Sequence, residues 1–201
     1  GFMGAMYPGL DLGAGEKERG TLETILSSPA SRFDIVMGKF LVVLTAAITT
    51  SFIAIGGLYL AVQQFPDIPV EILQVIQDVL SLKVFLMIVG LVVPVSAFFS
   101  AIILSLSIYA KSFKEAQSIV APLNIIIIFP AIIGTIPGIE LNHITALIPV
   151  LNVSLAAKDV VAGIVDPILM AEVYGSLFLL AGLSIWFCVN RFNREETIFR
   201  N

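Results

Sequence analysis

Charged residues are scarce in this chain. Asp, Glu, Lys and Arg make up 13% of its 201 residues and 58% are hydrophobic, whereas soluble domains carry about 25% charged residues. The formal net charge of -4 excludes the basic surface that a nucleic-acid partner needs. With one cysteine and one histidine, the chain has neither a disulfide framework nor a zinc-binding spacing. These absences indicate a membrane protein that binds no nucleic acid and no metal.

Motifs of the common enzyme classes are missing as well. The sequence contains no Gly-x-x-x-x-Gly-Lys phosphate loop, no His-Glu-x-x-His helix and no Gly-x-Ser-x-Gly elbow. We therefore expect no catalytic residues, and any ATP hydrolysis linked to this chain has to occur on another polypeptide.

Long uncharged runs are what the chain has instead. A helix crosses about 30 Å of hydrocarbon with roughly 20 apolar residues. Four runs without Asp, Glu, Lys or Arg meet this length, at residues 40–62, 84–110, 116–136 and 173–190. The apolar residues 1–10 resemble the end of an earlier span, and we interpret the chain as a fragment. The sequence predicts one all-α integral membrane domain over residues 1–201, a polytopic bundle of four full spans.

The connections between these runs alternate in charge. Lys and Arg are concentrated in residues 11–39, in the link at 111–115 and in the tail after residue 190, which predicts that these three segments are cytoplasmic. Residues 63–83 and 137–172 are mainly acidic and are expected outside. Within the second outer segment, residues 144–165 are apolar but interrupted, which favours a re-entrant or interfacial helical hairpin.

The cytoplasmic segment 11–39 is predicted to contain a short amphipathic helix. Leu22, Ile25 and Leu26 fall on one helical face. Pro29 stops this helix, and Ser31 followed by Asp34 matches a capping box that starts the next one. Such a helix either lies in the membrane interface or docks its apolar stripe in a partner's groove.

Two stretches carry a resemblance to a known family. The run EKERGTLETILSSP at residues 16–29, with Ser31-Arg32 and Gly38-Lys39 after it, resembles the cytoplasmic loop of type-2 ABC exporter permeases, most closely the NatB-type sodium-extrusion permeases. The outer runs PGIELN (137–142) and IPVLN (148–152) resemble the NatB-type outer loop. The resemblance implies a coupling helix that contacts a separate ATPase, with these residues involved: Glu16, Glu18, Arg19, Gly20, Thr21, Leu22, Glu23, Ile25, Leu26 and Pro29.

The resemblance also implies the function. The chain is expected to be the permease subunit of an ATP-driven exporter in a prokaryotic plasma membrane, with sodium as the implied substrate. Its partners would be an ABC ATPase, which binds the ATP and Mg²⁺, and a second permease subunit in a homodimer. The alternatives are an ion-coupled secondary carrier and a non-transporting assembly or regulatory subunit. A carrier commonly places a carboxylate in mid-membrane, and none of the four runs contains one.

A few polar residues interrupt the predicted spans and mark the outer loop. Ser96, Ser100 and Ser107 share one helical face and are expected either to line a translocation path or to pack between helices. Asn124 is expected to bind a neighbouring helix or to contact an ion. The outer-loop candidates are Glu140, Asn142 and Asn152.

Overall fold

Every regular element in the described part of the chain is a helix. This computed structural model describes residues 1–64 and 81–192. The long helices are α4 (Arg32–Gln63), α5 (Leu82–Tyr109), α6 (Phe113–Ile133) and α8 (Pro167–Phe192). The short elements are α1 (Phe2–Leu10), a π-helix (Asp11–Gly15), α2 (Glu16–Glu18), α3 (Thr21–Leu26), a 3₁₀ turn (Thr145–Leu147) and α7 (Leu151–Ala162).

Four of the described helices are long and apolar enough to cross a membrane. They comprise Arg32–Ala61, Leu82–Tyr109, Phe113–Ile133 and Pro167–Asn190, which confirms the predicted all-α polytopic bundle. All four of them begin before the predicted runs. Helix α4 starts after Ser31, whose Oγ accepts from Asp34 N at 3.1 Å and donates to the Asp34 carboxylate at 2.6 Å. The expected capping pair is confirmed.

Helix α8 begins with proline, and an aspartate precedes it. Ile168 N donates to Asp166 Oδ1 at 2.8 Å, and Pro167 occupies the first helical position, where a missing N–H costs nothing. Because α8 starts here, it includes Glu172, which the apolar run at 173–190 did not. The expectation of spans without a carboxylate is corrected. Glu172 lies in the second turn of α8, and Asp34 and Glu115 lie in the first turns of α4 and α6.

Helix α5 is the centre of the bundle. It contacts α1, α4, α6, α7 and α8 and is the most buried of the four spans. Phe99 of α5 packs edge-on against Phe2 of α1, with ring centroids 5.3 Å apart. Val43 and Ala47 of α4 complete this part of the core. The other helices therefore take their positions from α5.

The basic connections meet at one end of the bundle. Leu22 and Val36 share a buried cluster with Ile108 near the end of α5 and Cys188 near the end of α8. Residues 11–39, the link after α5 and the end of α8 therefore lie together, at what we call the basic end. The acidic segment containing α7 packs at the opposite end, against Met170 and the first half of α5. This arrangement agrees with the predicted alternation; the outer residues 65–80 and the tail after residue 192 lie outside the described residues.

The interrupted outer segment caps the end opposite the basic one. Residues 144–165, predicted as a re-entrant or interfacial hairpin, contain the 3₁₀ turn and α7. Ser154 of α7 donates to the carbonyl oxygen of Ala131 at 3.1 Å. Gly134 leaves the space for this contact, because a Cβ there would lie 2.4 Å from Ser154 Oγ. Gly163, with a φ of 72°, ends α7 in the left-handed conformation that glycine adopts without strain.

Candidate coupling site at the basic end

The segment between α1 and α4 folds back on the bundle in two short helices. The π-helix continues α1 directly into α2, and Gly20 then turns the chain with a φ of 70°. That left-handed conformation is strained for residues with a side chain, so glycine suits the position. Thr21 Oγ1 donates to the carbonyl oxygen of Glu16 at 3.2 Å across the turn. The turn places α3 beside the start of α4.

A buried ion pair holds this segment to α4. Lys39 Nζ lies 2.5 Å from Glu16 Oε2, and the two side chains are only 7% and 11% exposed. Lys39 also donates to the carbonyl oxygen of Leu12 in the π-helix at 2.7 Å. Because an unpaired charge is costly to bury, these contacts fix Glu16 and Lys39 as a unit. They join the end of α1, through the π-helix, to α4.

The other charges of the Glu-Lys-Glu-Arg run also have partners within the chain. Arg19 Nη1 lies 2.7 Å from Asp11 Oδ1, and this hydrogen bond raises the pKa of Arg19. Lys17 Nζ donates to the carbonyl oxygen of Ile108. Glu18 Oε2 accepts from the backbone N–H of Phe113 at 2.8 Å. In this structure these three side chains contact their own chain, and the predicted involvement of Glu16, Glu18 and Arg19 in a contact with an ATPase stays a prediction.

The apolar stripe of α3 is divided between the interior and the surface. Leu22 is 5% exposed and belongs to a buried cluster with Val36, Phe40 and Leu104. Ile25 is half-buried. The side chains of Glu23 and Leu26 lie outside what the structure describes. The predicted docking of the whole stripe on a partner is thus corrected for Leu22, which anchors α3 to its own bundle.

The opposite side of the segment is open. We call residues 24–33 the exposed tip. Thr24, Ser27, Ser28 and Pro29 are exposed, and Ser27 Oγ donates to the carbonyl oxygen of Thr24 at 2.8 Å, which closes the last turn of α3. Phe33, in the first turn of α4, is 51% exposed. The tip therefore presents one large exposed apolar side chain, that of Phe33, beside small polar residues.

The serine face of α5 meets the end of α1 and the π-helix that follows it. Ser107 Oγ accepts from Ala14 N at 2.9 Å and donates to the carbonyl oxygen of Leu10 at 3.0 Å. A Cβ on Gly13 would lie 2.3 Å from Ser107 Oγ. Ser96 and Ser100 are fully buried on the same helix, and their hydroxyls make no hydrogen bond within the described residues. Of the two predicted roles, the geometry of Ser107 favours the helix contact.

Asn124 lies in the middle of α6. Its side chain is partly buried, and its Oδ1 is buried without a hydrogen-bond donor among the described residues. The predicted contact with a neighbouring helix is not made by this oxygen. An ion contact at Asn124 stays a prediction.

The outer-loop candidates have structural contacts. Asn152 is fully buried, donates to the carbonyl oxygen of Ala146 and to Ser176 Oγ at 3.0 Å each, and so ties the start of α7 to α8. Asn142 Oδ1 accepts from the N–H groups of Ile144 and Thr145 at 3.0 Å and closes the turn that leads into the 3₁₀ turn.

Glu140 is exposed. Burial is the main cause that raises the pKa of the Asp159 carboxyl. The positive charge of Lys158 opposes this shift, and the negative charge of Glu140 adds to it.

Comparison with known proteins agrees with this architecture. Residues 2–189 match the family described as ABC-2 family transporter protein. The chain belongs to the ABC-2 transporter family. It is 31% identical over 195 residues to the ABC transporter permease protein NatB of Bacillus subtilis (strain 168), a match that covers 94% of this chain and 48% of that protein. The chain thus spans about half the length of this curated relative. No solved structure matches it.

Several contacts at the basic end of this multi-pass ABC-2 permease were missed by sequence reasoning. Lys39 and Lys17 were considered only as basic residues and as part of the family resemblance, although both bind carbonyl oxygens of other elements. Asp11 was not considered at all. A signal for the close α1–α5 contact was present in the spacing of Gly9 and Gly13, four residues apart on one face of a helix. The ion pairs carried no comparable signal, since 23 residues separate Glu16 from Lys39.

Proposed function

We propose that this chain is part of an ATP-driven exporter and that its exposed tip docks onto a separate ABC ATPase. The observation that carries the proposal is the two-sided construction of the segment before α4. Its inner side is fixed by Leu22 and by the Glu16–Lys39 pair. Its outer side presents the exposed residues Thr24, Ser27, Ser28, Pro29 and Phe33. A partner that pushes on such a tip moves the helices behind it.

Phe33 is the apolar anchor in this proposal. It is 51% exposed at the basic end, and aromatic side chains that fill a partner's pocket commonly dominate an interface. Thr24, Ser27 and Ser28 surround the tip with small polar groups that hydrogen-bond readily. Leu22, which the sequence had favoured, is replaced by Phe33 because Leu22 is already covered by its own chain.

Sodium extrusion, implied by the resemblance to the NatB-type permeases, is the transport activity that we propose. ATP and Mg²⁺ bind to the ATPase in this scheme, and a second permease subunit completes the path. An ion-coupled carrier is less well supported. Within the described spanning helices, the carboxylates Asp34, Glu115 and Glu172 all lie in the first two turns, and none lies in mid-membrane.

The test uses the full-length permease coexpressed with its candidate ATPase. Phe33→Ala should lower the affinity of the ATPase for the permease about 30-fold, which corresponds to roughly 2 kcal/mol for an aromatic anchor. Phe178→Ala is the matched control, because Phe178 is 59% exposed on the surface of the spanning helix α8. Copurification and ATP-dependent efflux of Na⁺ from proteoliposomes are measured for both variants.

Equal copurification of the Phe33→Ala and Phe178→Ala complexes would remove the tip from the interface. A parental permease that binds no ATPase would support a regulatory or carrier role instead. Copurification without ATP-dependent Na⁺ efflux would retain the ATPase partnership and exclude sodium as the substrate.

A further inference from the structure

Two neighbouring residues of α2 contact the two sides of the junction between α5 and α6. Lys17 Nζ donates to the carbonyl oxygen of Ile108, in the last turn of α5. Glu18 Oε2 accepts from the N–H of Phe113, the first residue of α6, at 2.8 Å. Only three residues, 110–112, separate the two helices. One dipeptide therefore holds the end of one span and the beginning of the next.

The signs of these two charges match the helix ends that they contact. The last carbonyl groups of a helix lack intrahelical partners and carry partial negative charge, which a lysine ammonium stabilises. The first N–H groups are likewise unpaired and carry partial positive charge, which a carboxylate stabilises. Lys17 at the end of α5 and Glu18 at the start of α6 satisfy both preferences. Exchanging the two charges would disfavour both contacts.

The junction has its own capping contacts as well. Ser112 Oγ accepts from Glu115 N at 3.2 Å, and Glu115 Oε2 accepts from Lys111 N at 2.7 Å. These bonds fix the first turn of α6 without any contribution from α2. The contacts of Lys17 and Glu18 are thus additional to what the junction needs in order to fold, and their effect is to attach the junction to α2.

We propose that Lys17 and Glu18 form a clamp that transmits movement of the exposed tip to α5 and α6. The chain itself links the tip only to α1, through the π-helix, and to α4. Without the clamp, α5 would follow the tip through side-chain packing and through the bonds of Ser107 with Leu10 and Ala14, and the start of α6 would lose the contact with Glu18. Lys17 and Glu18 are positioning residues in this scheme. The inference rests on the proposed coupling to an ATPase, because the tip needs a driving partner.

The test measures the distance between the tip and α6 directly. In a cysteine-free, full-length permease in complex with its ATPase, spin labels are placed at Ser27 on the tip and Ser118 on α6, both exposed. With the clamp intact, this distance should stay narrow and unchanged between the nucleotide-free and the ATP-bound complex. In the double variant Lys17→Ala/Glu18→Ala it should broaden and become nucleotide-dependent.

Function supplies the second readout. The double variant should copurify with the ATPase as the parent does and hydrolyse ATP at a similar rate, while Na⁺ efflux per ATP falls about tenfold, as expected for the loss of a coupling free energy between two sites. Lys114→Ala is the matched control, because Lys114 is exposed in the first turn of α6. Lys17→Arg/Glu18→Asp, which keeps both charges, should restore part of the coupling.

Each outcome separates the clamp from the coupling proposal. A distance distribution that stays narrow in the double variant, in a complex that still binds its ATPase, overturns the clamp and leaves the proposed function standing. A parental complex that does not assemble overturns the proposed function, and the clamp with it. If the parent does not transport Na⁺, the distance measurement alone decides whether the clamp exists.

Discussion

Replacement of Lys39 by methionine tests the buried pair at the centre of the coupling site. Lys39→Met keeps the length of the side chain but leaves the Glu16 carboxylate, 11% exposed, without its counter-charge. Breaking a buried pair from one side costs about 3–5 kcal/mol. In a chain of this size, each kcal/mol shifts the melting temperature by about 2–4 °C. We therefore expect Lys39→Met to melt roughly 10 °C below the parent.

A double variant distinguishes the effect of the Glu16–Lys39 charge pair from that of the hydrogen bond between Lys39 and Leu12. Glu16→Gln/Lys39→Met removes both charges, so most of the lost stability should return; the deficit that persists is the bond from Lys39 to the carbonyl oxygen of Leu12, worth about 1 kcal/mol. Lys114→Met, at an exposed lysine near the same end, should melt within about 1 °C of the parent. Thermal unfolding in detergent, followed by size-exclusion fluorescence, measures all four proteins.

Two results would contradict this reasoning. A Lys39→Met protein that melts with the Lys114→Met control would mean that the Glu16 carboxylate is hydrated and not buried. A double variant as unstable as the single one would assign the effect to the bond with Leu12. In either case the ion pair would not be what joins the π-helix to α4.

Two further predictions follow. The first concerns the contact between the π-helix and α5, and the second concerns the acidic end of the bundle. Gly13→Ala should lower the melting temperature by several degrees, because its Cβ would lie 2.3 Å from Ser107 Oγ and overpacking costs about 1–3 kcal/mol; Gly175→Ala, where a Cβ meets open space, should not, and equal melting of the two variants would refute the close contact. Burial raises the pKa of Asp159, so its charged form weakens folding once the pH exceeds that folded-state pKa. Asp159→Asn should therefore slightly stabilise the protein at pH 7, and the gain should disappear below about pH 4, near the ordinary pKa of 3.8; a gain that is independent of pH would contradict this.

The spans and their order could be predicted because each depends on a short stretch of sequence. A run of about 20 apolar residues specifies a crossing whatever its neighbours are. The start of α4 was predicted for the same reason, since Ser31 and Asp34 are three residues apart. The start of α8 was missed because its bounds were taken from the uncharged run at 173–190 and not from a helix-capping signal. Asp166-Pro167 is a helix-start signal six residues before the apolar run.

The inner contacts of the coupling site could not be predicted in the same way. Periodicity shows that Leu22 lies on an apolar face, but it does not show whether that face is covered by lipid, by a partner or by the chain's own bundle. The structure gives the third answer, because Leu22 shares a buried cluster with residues as distant in sequence as Leu104. Charges are subject to the same limit. A run such as residues 16–19 has the composition of a solvated surface, and only the fold brings Lys39 and Asp11 within 3 Å of it.

The scarcity of charges makes this cluster informative. Only 13% of the residues in this chain are charged, yet residues 11–39 supply a buried ion pair and two contacts to helix ends. Burying the charges of the ion pair has a desolvation cost. Three roles at the basic end can then be told apart by experiment. Loss of the pair involving Lys39 should lower stability, loss of Phe33 should lower ATPase binding, and loss of Lys17 with Glu18 should leave both intact while transport per ATP falls. Substitutions that affected all three quantities alike would indicate one undivided structural unit, and the separation of anchor from clamp would have to be abandoned.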